Sequence, residues 1–189
     1  MKTRRTVGAA LFLLLIAPAF AHRLDEYLQA TMISLERERV QVLMRLVPGV
    51  AVSGRVLAMI DTDGDGAISK AEQHAYAALV LHDVSLAIDG KNLAPRLVAA
   101  SFPETSLIKE GLGEIRLTFE AKLPDGGHRR LTFENHHQSS VASYMANCLV
   151  PGDRSIQVIA QARNERQSLY QLEYVQSRSV GDWFSLTPH

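Results

Sequence analysis

The chain has 189 residues, 47% of them hydrophobic, which is enough apolar material to pack the core of one domain. Twenty basic residues balance twenty acidic ones, so bulk charge gives no reason to expect nucleic acid or an anionic membrane surface as the partner. Cys148 is the only cysteine, which excludes an internal disulfide.

The N-terminus reads as a secretory signal over residues 1–21. Lys2, Arg4 and Arg5 form the charged region, residues 11–16 the apolar region, and Ala19-Phe20-Ala21 a small-x-small cleavage site. The apolar run is shorter than the roughly 20 residues that cross a bilayer, so cleavage after Ala21 is expected and not anchoring. His22 then becomes the mature N-terminus, and the expected location is periplasmic or secreted. In that oxidising setting a lone thiol in a strand-like run, residues 144–150, reads as a buried structural cysteine.

Residues 27–47 read as two short strands. Val40, Val42, Met44 and Leu46 lie on one side of the second, and charged residues 36–39 turn between them. After Pro48-Gly49, Val52, Val56 and Ile60 recur at helical spacing. Residues 70–82, rich in alanine, suit a second helix. Beyond His82 the period returns to two, most clearly where Ile115, Leu117, Phe119, Ala121 and Leu123 alternate with polar residues. Similar strands are predicted at 84–88, 93–101, 129–134, 142–150, 156–162 and 169–175, separated by turn signals such as Asp89-Gly90 and Pro151-Gly152-Asp153. The prediction is a mainly β domain over residues 22–176. It is an antiparallel β-sandwich with a helix-loop-helix inserted at 50–82 and projecting from one end of the sheets. Residues 177–189 form a C-terminal tail whose Trp183 and Phe184 are candidates to dock back.

Between the two helices runs Asp61-Thr62-Asp63-Gly64-Asp65-Gly66-Ala67-Ile68-Ser69-Lys70-Ala71-Glu72, which resembles the EF-hand calcium loop. A hard dication wants several oxygen ligands at once. Asp61, Asp63 and Asp65 occupy positions 1, 3 and 5, and Gly66 permits the sharp turn at position 6. Ala67 offers its backbone carbonyl, Ser69 holds a coordinated water, and Glu72 closes the site with both carboxylate oxygens. Calcium is the cofactor this resemblance implies. Ile68 sits where an EF-hand loop pairs with a second hand, and the sequence contains no second hand. Ile68 therefore pairs within a dimer, packs on the sandwich, or belongs to a looser site, as in exported modules that bind at roughly 10⁻⁴–10⁻³ M.

Outside the loop, His22-Arg23-Leu24-Asp25-Glu26-Tyr27, the inserted hand and residues 144–151 (Tyr-Met-Ala-Asn-Cys-Leu-Val-Pro) resemble the exported β-rich domain of bacterial nickel/cobalt-type permeases of the hydrogenase and urease accessory group. The resemblance implies a periplasmic domain working beside a protein or membrane-protein partner in the cell envelope. It does not extend to transport, because no membrane helices follow the β-rich part.

Seven histidines raise a competing expectation, a periplasmic copper or nickel binder that uses the amino group and ring of His22. His136 and His137 are the nearest candidates to complete such a site. In a strand they point to opposite faces, and the simpler expectation places residues 135–140 in a polar surface loop. Glu134, Ser139 and Ser140 add hydrolase-type side chains, but no nucleophile elbow or metalloprotease helix motif frames them. The expectation is a calcium-binding protein and not an enzyme.

Overall fold

The computed structural model describes residues 25–177. The predicted signal segment, His22 and the tail residues 178–189 lie outside them. Among the described residues no helix is long and apolar enough to cross a membrane.

The chain is mainly β. Among the described residues ten strands follow in order: β1 (Tyr27–Leu35), β2 (Arg39–Pro48), β3 (Val84–Ile88), β4 (Lys91–Asn92), β5 (Arg96–Ser101), β6 (Ile115–Lys122), β7 (Gly127–Asn135), β8 (Ala142–Cys148), β9 (Ile156–Arg163) and β10 (Leu169–Gln176). They form two five-stranded sheets, ordered β5-β6-β2-β1-β8 and β4-β3-β7-β10-β9. Strict alternation builds the inner faces. Tyr27, Ile33, Leu35, Val40, Met44, Leu46, Ile115, Leu117 and Phe119 of the first sheet are essentially buried, and they share one core with Leu131, Phe133, Tyr170, Leu172 and Tyr174 of the second.

The sheets depart from the sequence expectation in pairing and in strand bounds. β1 pairs antiparallel with β2 but parallel with β8, with Tyr27 opposite Ala142, so the sandwich is not wholly antiparallel. The segment predicted as one strand over 93–101 is shortened, because Pro95 lacks an N–H for a sheet ladder and β5 starts only at Arg96.

The insertion consists of α1 (Val50–Ile60) and α2 (Lys70–His82), between β2 and β3. It does not project as an appendage. Val56 and Ile60 of α1 and Tyr76, Ala77 and Val80 of α2 are buried in the same core as the sheets. A short helix that the sequence did not announce, α3 (Thr105–Lys109), packs against α1 through fully buried Ile108. Gly113 follows where a Cβ would come within 2.8 Å of the Ile108 nitrogen, so only glycine admits this close return of the chain.

Candidate metal centre

The acidic loop is built by the ends of the two helices that flank it. Asp61 is the C-cap of α1, its N–H donating to the Leu57 carbonyl, and Ser69 is the N-cap of α2. Ser69 and Glu72 form a reciprocal capping box: the Glu72 N–H donates to Ser69 Oγ at 3.2 Å, and the Ser69 N–H donates to Glu72 Oε2 at 2.9 Å. The two orphan donors at the start of α2 are thereby satisfied.

Between these ends the loop is wound by its own carboxylates. The Gly66 N–H donates to Asp61 Oδ2 at 3.1 Å, the Asp65 N–H to Asp63 Oδ1 at 3.2 Å, and the Ala67 N–H to Asp65 Oδ1 at 2.8 Å. Gly66 turns at φ +85°, a conformation that L side chains rarely adopt. The result brings ligand oxygens of Asp61, Asp63 and Asp65 within 4.8 Å of one another. Asp61 Oδ1 is buried without a hydrogen-bond partner. Three convergent anionic groups repel one another, and an unpaired buried carboxylate oxygen is costly, so this donor set fits a hard cation.

Glu72 and Ser69 stand outside that cluster. Glu72 Oε1 accepts from the Thr62 N–H at 2.7 Å and from the Thr62 hydroxyl at 3.2 Å, while Oε2 accepts from the Ser69 N–H and hydroxyl, both at 2.9 Å. Hydrogen bonds from the Ser69 backbone and hydroxyl, then from the Thr62 backbone, hold the Glu72 carboxyl down at about 2. Glu72 is thus an anion at any ordinary pH, and it fastens both ends of the loop together. Ile68 packs against the core, one of the outcomes its position left open, and its carbonyl accepts from Gln73 Nε2 at 3.1 Å.

A second polar constellation lies below the hand and was not foreseen. His137, expected in a surface loop, is fully buried, and so is Asn135. The His137 ring links Asp83 Oδ2, 2.8 Å from Nδ1, to the Tyr76 hydroxyl, 3.1 Å from Nε2, and Tyr76 in turn meets the Tyr27 hydroxyl at 2.6 Å. Burial pushes the Asp83 carboxyl up, but hydrogen bonds from His137 and His82 outweigh it and leave it below its usual range. An ionised Asp83 only accepts, so Nδ1–H donates to it, Nε2 accepts from Tyr76, and Tyr76 accepts from Tyr27. Around this chain, Gln29 Nε2 and the Tyr144 hydroxyl donate to the His137 carbonyl, Asn135 Nδ2 donates to Gln29 Oε1, and the His137 N–H donates to Asn135 Oδ1. Both ring nitrogens of His137 are engaged, so it is not free to join His22 at a transition metal. His136 is exposed, 3.2 Å from Glu134.

His74, His82 and His128 are exposed. Cys148 is only partly buried, and burial raises its thiol to about 11, which leaves it protonated and a poor nucleophile. Compared with family models, curated proteins and solved structures, the chain has no match in any of the three.

Proposed function

We propose that this is an exported calcium-binding protein in which the ion at residues 61–72 fastens the helix pair to the β-sandwich and so fixes a surface for a protein or membrane-protein partner in the cell envelope. The observation that carries the reading is the buried, unpaired Asp61 Oδ1 inside a wound cluster of three aspartates. The ligands would be Asp61, Asp63 and Asp65, the Ala67 carbonyl, a water held at Ser69, and Glu72.

Glu72 would reach the ion only by giving up partners among Thr62 and Ser69, so calcium competes with the capping box. That competition favours the weak end of the EF-hand range, about 10⁻⁴–10⁻³ M, which suits an extracytoplasmic setting and a structural role better than sensing. The mechanism is binding and not chemistry. Calcium cancels the repulsion among the three aspartates, and α1 and α2, which carry core residues, are held at one spacing.

Chemical unfolding of the mature protein with and without calcium tests this. With 10 mM calcium and a dissociation constant in that range, the folded state gains about 1.4–2.7 kcal/mol over the chelator-treated protein. Equal stability in calcium and in chelator would remove the proposal.

A further inference from the structure

EF-hand loops ordinarily pair with a second hand, and residues 61–72 are met from outside the helix pair by Thr105. We propose that Thr105 is a positioning residue for the calcium loop, an inference that rests on the calcium reading above. The Thr105 hydroxyl donates to the Gly66 carbonyl at 2.8 Å. The same peptide unit carries the Ala67 N–H, which donates to Asp65 Oδ1 at 2.8 Å. Both polar ends of one peptide plane are therefore pinned, one by Thr105 and the other by a ligand carboxylate.

The position of that plane gives the contact its consequence. On one side it sets the Asp65 carboxylate, and on the other it sets the backbone of Ala67, whose carbonyl is the next ligand of the loop. A hydroxyl bonded to the carbonyl also polarises the peptide and strengthens its N–H as a donor to Asp65. Gly66, like Gly64, has no Cβ to restrict its backbone, and Thr105 limits that freedom at Gly66 before the ion arrives.

Thr105 stands on a firm base. Phe102 packs edge-to-face on buried Tyr76 with ring centroids 6.0 Å apart, Ile108 of α3 is fully buried, and Gly113 closes tightly beneath it. Thr105 itself is half exposed, and its hydroxyl has its contact in the loop and not in the core. Thr105 thus brings to the loop, from a segment anchored in the core, one hydrogen bond from elsewhere in the chain.

The test is calcium titration by calorimetry on the full mature, metal-stripped protein, comparing the parent with Thr105→Val, Thr105→Ala and Thr105→Ser. Removing one neutral hydrogen bond that pre-organises the loop should weaken calcium binding roughly three- to ten-fold in the Val and Ala variants. Ser keeps the hydroxyl and should restore binding to within about two-fold of the parent, well inside the worth of one hydrogen bond. Heat unfolding in chelator shows that each variant is folded, and Ala covers the case in which the branched Val side chain disturbs α3. If the parent binds calcium and the Val and Ala variants bind it equally well, or if Ser is as weak as Ala, Thr105 does not position the loop although the calcium reading stands. If the parent itself does not bind, both fall.

Discussion

His137 shows how much one side chain can tie together. It lies between Asp83 at the end of α2, Tyr76 in the middle of α2 and Tyr27 at the start of β1, so its ring joins the helical insertion to the first sheet. Replacing it with alanine leaves the Asp83 carboxylate and the Tyr76 hydroxyl without their partner and opens a cavity. The expected loss is roughly 2–4 kcal/mol in urea unfolding. The same residue sets a pH dependence. Burial is the larger influence and lowers the His137 ring below its ordinary value of 6.5, with Asp83 opposing. The unfolded chain therefore binds this proton at a higher pH than the folded chain does. The stabilising contribution is complete above about 6.5 and declines as pH falls from there toward the folded value. Asp83, held low, adds stability that is present above its ordinary 3.8 and is lost only below it. Unfolding free energies measured from pH 7.5 to pH 5 should fall in the parent and stay flatter in His137→Ala. None of this was legible in the sequence, because the partners of His137 lie 54 and 61 residues away and a His-His pair beside serines looks like a loop. A carboxylate just after a helix and an aromatic facing inward were the available signals, and neither says which histidine they meet.

At the scale of elements, the helices that bound the loop were readable, because the spacing of Val52, Val56 and Ile60 and the alanine-rich run at 70–82 are local signals. α2 runs over Lys70–His82 as predicted, and Ser69 with Glu72 three residues later caps its start. Ser69→Ala should cost about 1 kcal/mol of stability in chelator, since Ser69 is exposed and its hydroxyl is the cap. Strands with one buried face were equally clear: every apolar position expected inside β6 is buried, and β3 occupies the residues predicted for it. α3 escaped notice because five residues carry no period of their own. Long-range burial of Ile108 and the close return at Gly113 hold it in place. At that return, Gly113→Ala should destabilise the protein by more than the few tenths of a kcal/mol typical of a surface change, because the added methyl meets backbone.

The whole molecule is organised by pairings that sequence patterns do not encode. Alternation identified the strands and their inner faces, hence the mainly β class, but the parallel seating of β8 on β1 joins residues more than a hundred positions apart. Alternation also could not show that the insertion shares the common core, which makes the acidic loop a part of the domain and not an attachment to it. The convergence of Asp61, Asp63 and Asp65 was legible because that part of the loop is held by local contacts. What the sequence did not show was that Glu72 is held by Thr62 and Ser69 and that Thr105 reaches in from a distant segment.

The central claim is that residues 61–72 bind calcium, and the most direct test is calorimetric titration of the metal-stripped mature protein beside Asp63→Ala. Asp63 is the suitable position because it is exposed and its carboxylate receives only the Asp65 N–H, so the fold survives its loss. The account predicts one calcium per chain in the parent and binding roughly tenfold weaker or lost in the variant, since affinity follows the number of charged ligands. No heat of binding up to millimolar calcium in the parent, or equal binding in both proteins, would contradict it.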